Sequence, residues 1–194
     1  KLDLSEVQAD YVGFAGHKSL YGPFGIGGII STSSKLKLNV VIAGGTGSNS
    51  LNLEMPQNAP GRYEYASSNI VAIAGLKAAL TLIDVEEKNS YERKLTNKVV
   101  ESLEDIPNVI VYAPPREKHI GVISFNVNGY QAEDIGMILD EDYDIAVRTG
   151  YHCAPWIHEL LGDEKFSGTV RVGLSSFSTE KDIEELVDAI MSLN

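Results

Sequence analysis

A lysine and a cysteine are the residues best suited to covalent chemistry in this chain. Lys18 ends the run Phe14-Ala15-Gly16-His17-Lys18, which follows a short apolar stretch from Tyr11 to Ala15. An amine that forms a Schiff base needs a rigid support, small neighbours that admit a flat cofactor, and groups that lower its pKa. The run has that outline, although most lysines at strand ends are simply solvated. Cys153, the sole cysteine, lies in Arg148-Thr149-Gly150-Tyr151-His152-Cys153-Ala154-Pro155. Flanking arginine and histidine favour a thiolate. The alternative is a buried, inert thiol, and an intramolecular disulfide is excluded.

Binding groups surround these two. Arg171 interrupts the apolar run Thr169-Val170-Arg171-Val172-Gly173-Leu174. Buried there, its guanidinium needs a carboxylate or phosphate, whereas on a half-exposed strand it simply faces water. Gly44-Gly45-Thr46-Gly47-Ser48 offers backbone N–H groups and hydroxyls to an anion, and composition alone describes it equally as a flexible loop. Ser67 or Ser68 is expected to cap a helix, and the same hydroxyls suit a phosphate. His119 and His158 read as surface or packing residues, and no spacing suggests a metal site.

The elements that must position these groups alternate between strand and helix. Tyr11–Ala15 and Gly27–Thr32 read as strands on either side of Tyr21-Gly22-Pro23. Residues 40–62 are rich in Gly, Asn, Ser and Pro and predict a long irregular segment. Helical spacing runs from Asn69 to about Lys88 and again from Ser90 to Leu103. Beyond Pro107, Val109–Tyr112 and Val122–Val127 alternate as strands. Gln131–Leu139 predicts a helix, Ile145–Arg148 and Thr169–Leu174 strands, and Thr179–Leu193 an amphipathic final helix. The plainest division is a strand-rich portion over residues 1–85 and an α/β portion over 86–194.

The 194 residues are 43% hydrophobic and 22% charged, enough for a buried core. A net charge of -11 argues against nucleic acid, whose binding rests on clustered Lys and Arg. No apolar run approaches the ~20 residues that span a bilayer, so the expectation is a cytoplasmic protein without membrane association. Because ordered-looking sequence begins at Lys1 without a methionine, the chain reads as cut from something longer.

Taken in order, Phe14-Ala15-Gly16-His17-Lys18 with Leu20-Tyr21-Gly22-Pro23, Gly44-Gly45-Thr46-Gly47-Ser48, Arg62-Tyr63-Glu64 and Arg148 to Ala154 resemble the class V aminotransferase family. The nearest branch is the cysteine desulfurase and selenocysteine lyase group. The resemblance implies an α/β fold, part of a pyridoxal-phosphate (PLP) fold type I large domain over 1–85 followed by a small carboxy-terminal domain over 86–194. It also implies a homodimer with sites shared between subunits.

By that resemblance Lys18 bonds to PLP and moves protons, and His17 lies near the cofactor. Gly45, Thr46 and Ser67 reach the phosphate of the partner subunit's cofactor. Cys153 takes sulfur from L-cysteine, or selenium from selenocysteine, leaving alanine and a persulfide for a sulfur-acceptor protein. Arg171 holds the substrate carboxylate, and Arg148 helps position the substrate or the cysteine loop. An aminotransferase of the same class and a non-catalytic dimerisation or sulfur-carrier module are the alternatives.

Three departures stand out. Ala15 replaces the family's usual Ser or Thr. Ala66-Ser67-Ser68-Asn69 replaces Gly-Thr-Pro-Asn, which is expected to remove a position able to adopt positive φ. The aspartate, glutamine and aromatic residue that surround the cofactor ring in this family precede residue 1, so the chain alone is expected to bind PLP weakly and not turn over.

Overall fold

The computed structural model describes residues 2–33, 38–48 and 51–193. The chain divides into two compact units, Lys1–Asp84 and Val85–Asn194.

In the first unit β1 (Tyr11–Ala15) pairs antiparallel with β2 (Gly27–Ser31), Tyr11 facing Ser31 and Ala15 facing Gly27. The connection folds tightly onto itself. Gly16 donates its N–H to the Ile26 carbonyl at 2.9 Å and accepts from the Gly22 N–H at 2.8 Å. A Cβ at Gly16 would stand 2.7 Å from Ile26 Cγ2 and 3.0 Å from the Ile26 carbonyl oxygen, so only glycine fits. Between Ser31 and Ile70 the described residues form turns and bends without helix or strand, as the Gly-rich composition predicts; Asn49 and Ser50 lie outside the described residues.

α1 (Ile70–Leu82) closes this unit behind the Lys18 turn. Its buried Leu76 lies close against Gly16 and Gly22, and a Cβ at Gly75 would lie 2.9 Å from Pro23. The cap is Asn69 rather than Ser67 or Ser68: Asn69 Oδ1 accepts the Ala72 N–H at 3.1 Å. Asparagine caps as well as serine, and here its amide reaches the third helical N–H. The expected helix to Lys88 also stops early, because Ile83 turns extended and α2 starts afresh at Val85, with Glu86 and Glu87 in its first turn.

The second unit contains α2 (Val85–Glu104), β3 (Val109–Tyr112), β4 (Val122–Val127), α3 (Ala132–Tyr143), β5 (Arg148–Gly150), α4 (Pro155–Leu161), β6 (Thr169–Gly173) and α5 (Glu180–Met191). The sheet runs β3-β4-β6-β5, each neighbouring pair antiparallel. Ile123, Phe125 and Val127 share one face of β4 and join Val170 and Val172 of β6 in the core. Leu95, Val99 and Leu103 of α2, Ile135 and Leu139 of α3, and Ile183, Leu186 and Ile190 of α5 cover that face. Each such side chain contributes about 1.5–3 kcal/mol. Thr179 and Asp182 start α5 with a reciprocal cap, at 3.3 and 2.8 Å.

The strand expected at Ile145–Arg148 begins three residues later. Asp144 ends α3 in the left-handed region (φ 56°) and the Ile145 N–H returns to the Leu139 carbonyl, so ladder pairing starts only at Arg148. At the other end of this pair, Gly168 has φ 105° and a Cβ there would fall 2.5 Å from the Gly150 backbone. Gly168→Ala should therefore lower the unfolding free energy by about 3 kcal/mol or more, read as a lower urea midpoint. Gly173→Ala, which meets open space, should change it by about 1 kcal/mol or less.

Candidate active site

Lys18 sits in the turn built on Gly16, exposed, with its carbonyl accepting the Tyr21 N–H at 2.9 Å. The neighbouring His17 ring stacks on Phe24 at 4.8 Å, inclined by 26°. The amine thus rises from a rigid, glycine-lined support. Elsewhere in this unit the Ala66 N–H donates to the Gly45 carbonyl at 2.7 Å, which draws Gly45 and Thr46 beside Ser67. Thr46 Oγ1 is 2.8 Å from Ser48 Oγ. Because Asn69 caps α1, the Ser67 hydroxyl is not used for capping.

Ala66 has φ 63°, so the expectation that replacing glycine here removes a positive-φ position is corrected. The backbone keeps the left-handed bend, held by the bond to Gly45, and alanine bears the strain of its Cβ.

The second unit gathers its functional side chains by sheet register. Tyr112 faces Ser124, Ser124 faces Arg171, and Arg171 faces Arg148, a row across the sheet on the side opposite the core. Two guanidinium-bearing residues directly opposite each other repel. Among the described residues neither has an ion pair with a carboxylate, which leaves the pair ready for an anion. Of the two readings of Arg171, the structure matches the half-exposed strand: the residue is half-buried on the face opposite the core and lines a cavity of about 640 Å³ with Tyr112, Ser124, His152, His158 and Thr169.

Cys153 lies just beyond β5 in a tight turn. The Ala154 N–H donates to the Tyr151 carbonyl at 2.9 Å, and both central residues have positive φ, 53° at His152 and 63° at Cys153. That pattern belongs to type I′ turns, which favour glycine and asparagine, so two ordinary side chains here carry strain. The thiol is exposed, and Arg148 Nη2 donates to its sulfur at 3.0 Å. That contact holds the sulfur against a cationic side chain at the mouth of the turn.

His152 anchors the turn to β6. Its Nε2 donates to the Thr169 carbonyl at 3.0 Å and lies 2.8 Å from Thr169 Oγ1, which leaves Nδ1 buried without a partner. Burial lowers its pKa first, then the charges of Arg171 and Arg148, against the opposing Thr169 bond. Beneath the turn, His158 Nδ1 is 2.6 Å from Asp163 Oδ2, both side chains buried. The sequence marked His158 as a surface or packing residue and did not single out Asp163; they meet because Gly162 reverses the chain after α4, which leaves no periodic signal.

Among the described residues no cluster of His, Cys, Asp and Glu has the geometry to hold a metal, and no helix is long and apolar enough to cross a membrane.

Comparison with known proteins places this architecture. The family described as Aminotransferase class-V matches residues 1–186. The chain belongs to that family. Cysteine desulfurases from Cronobacter sakazakii and Escherichia coli O157:H7 are similar to it at 33% and 32% identity, each match covering 100% of this chain and 48% of the relative. Among solved structures, the apo cysteine desulfurase from Thermococcus onnurineus NA1 aligns with a TM-score of 0.83 and 31% identity over 95% of this chain and 47% of that one. The S-sulfonic acid form of the cysteine desulfurase CsdA from Escherichia coli aligns at 0.79 and 29%, over 93% and 45%. The chain therefore has the class V, PLP fold type I architecture and spans about half the length of the curated relatives it matches.

Two measurements test this geometry. Ala66→Gly should raise stability by about 0.5–1 kcal/mol in urea unfolding, because glycine adopts positive φ without strain. For His152 the folded pKa is depressed, so the unfolded state binds the proton more readily. Its contribution is fully present above the unfolded value near 6.5 and is lost as pH falls below it. The melting temperature should fall between pH 7 and 5, and less steeply in His152→Gln.

Proposed function

We propose that this chain supplies the lysine-bearing and cysteine-bearing portions of a PLP-dependent cysteine desulfurase. The Lys1–Asp84 unit is then part of the cofactor-binding large domain and the Val85–Asn194 unit is the small domain. The observation that carries the reading is the exposed Cys153 sulfur 3.0 Å from Arg148, next to an arginine pair that has no carboxylate partner among the described residues. A nucleophilic thiolate beside a carboxylate site is what sulfur transfer from an amino acid requires.

The residues present fit the cofactor. Lys18 offers an exposed amine on a turn where a Cβ at Gly16 would clash, and Gly45, Thr46 and Ser67 offer an anion cradle drawn together by the Ala66–Gly45 bond. Lys18 and His17 would hold the ring end and the cradle the phosphate of a partner subunit's cofactor. When bound, PLP supplies the electron sink that labilises bonds at the substrate's carbon atoms.

The chain's own residues account for the remaining work. Arg171, helped by Arg148, binds the substrate carboxylate, offsetting the repulsion between the two guanidinium groups. Cys153 thiolate attacks the substrate sulfur. An S–S bond forms as the C–S bond breaks, the C–S electron pair stays on carbon, and a proton delivered through the Lys18 amine completes alanine. Cys153 keeps the sulfur as a persulfide. Sulfur, carbon and electrons balance without an external oxidant.

Exposed apolar side chains support a larger assembly. Val41, Leu51 and Leu53 are each more than 90% exposed, surface that a further domain or the second subunit of a homodimer would cover. Trp156 and Leu160, 83% exposed on α4 after Cys153, suit a sulfur-accepting protein.

The test uses a longer chain in which the family's amino-terminal portion is joined to these residues, assayed with L-cysteine and with selenocysteine. With a dithiol reductant such as dithiothreitol added to release sulfide from the persulfide, alanine and sulfide should form in equal amounts, and Cys153→Ser and Lys18→Ala should each reduce the rate by at least about 10²-fold. Keto-acid formation that survives Cys153→Ser would instead identify an aminotransferase. The present chain alone should retain no cofactor absorbance after dialysis; a persistent band lost in Lys18→Ala would contradict that expectation.

A further inference from the structure

We propose that the buried Asp163–His158 pair is the positioning device for the turn that carries Cys153. α4 follows that turn directly, and the only residue of Pro155–Leu161 that it buries is His158, at 2% exposure. A seven-residue helix anchored by one side chain ordinarily anchors through an apolar one, because imidazole and carboxylate lose hydration on burial. Here the pair is kept although it leaves His158 Nε2 and Asp163 Oδ1 buried without partners. Packing alone is better served by leucine, so the polar pair has a role beyond packing.

The geometry identifies that role. Gly162, at φ 65°, donates its N–H to the His158 carbonyl at 3.0 Å and turns the chain so that Asp163, fully buried, comes under the ring. The Asp163 carboxylate at 2.6 Å accepts from Nδ1, which fixes the ring's plane and puts its proton on that nitrogen. The fixed ring meets both leading residues of the strained turn. Tyr151 packs edge-on at 5.1 Å and 86°, and the His152 ring stands 6.0 Å away at 43°.

Two successive positive-φ side chains persist only where the surroundings over-determine them. One constraint is the His152–Thr169 bond to β6. The His158 ring is the second, packed against Tyr151 and His152. Together they hold Cys153 where its sulfur meets Arg148 Nη2. His158 touches no reacting atom in this arrangement; it acts through the turn and is a positioning residue. The consequence for sulfur transfer rests on the function proposed above, whereas the device itself is a property of the thiol and can be measured without cofactor or substrate.

The experiment is the rate of iodoacetamide alkylation of Cys153 in the chain at pH 7. Arg148→Met and His158→Leu should each slow it about 5-fold, and the double variant should be no slower than Arg148→Met alone, since both act through one contact. His158→Asn, whose amide still serves Asp163, should recover part of the rate. A His158→Leu chain that melts cooperatively yet alkylates at the parent rate overturns the proposal, as do effects that multiply in the double variant.

Should His158→Leu fail to fold, Asp163→Asn takes its place. It should slow alkylation about 2-fold and move the His158 proton from Nδ1 to Nε2 in the ¹⁵N spectrum. An unchanged rate with the proton still on Nδ1 overturns the proposal. A failed sulfur-transfer assay, by contrast, would leave these alkylation results standing and strike only the desulfurase reading.

Discussion

Adjacent residues of a β-strand point to opposite faces of the sheet, and the second unit is organised by that constraint. Ile123, Phe125, Val127, Val170 and Val172 must all face α2, α3 and α5 to form the core, which turns Ser124 and Arg171 the other way. The antiparallel register then sets Arg148 opposite Arg171. A one-residue slip would drive a guanidinium into the core and expose the hydrophobic row, so burial of the apolar face also fixes the arginine pair. The core and the arginine pair occupy the two faces of one pairing.

What the sheet cannot supply is the placement of the thiol, which lies past the last residue of β5. The chain turns there through two positive-φ residues, with Gly150 at φ 91° just before them and Gly168 close to the Gly150 backbone. A turn so strained is reproducible only because it is tied at several points: to β6 through His152, to the start of β5 through Arg148, and to the buried Asp163–His158 pair beneath. The same ties keep an exposed cysteine in one orientation while leaving its sulfur open to solvent.

The first unit solves a similar problem with glycine and proline. Gly16 and Gly22 let the chain fold back within hydrogen-bond distance of itself, and Leu76 and Gly75 of α1 pack behind, against the turn and Pro23. The lysine is presented from a support with no slack. The Gly45 loop is tied to the residue preceding Ser67 by one backbone hydrogen bond, made possible by the left-handed bend at Ala66. This unit leaves Val41, Leu51 and Leu53 almost fully exposed, whereas the second unit gathers its apolar residues into one buried cluster.

The sequence by itself determined the alternation of strand and helix, the strands Val109–Tyr112 and Val122–Val127, and the order of motifs that marks the family, because periodicity and short motifs are local properties. It also marked Lys18, Arg148, Cys153 and Arg171, whose residue types announce their chemistry. It misread the cap of α1, the start of β5 and the conformation of Ala66, each decided by one particular hydrogen bond that periodicity does not encode: Asn69 with Ala72, Ile145 with Leu139, Ala66 with Gly45. Only the tertiary structure decided which way Arg171 points and that His158 meets Asp163, since strand register and a left-handed reversal at Gly162 join residues that no spacing rule connects.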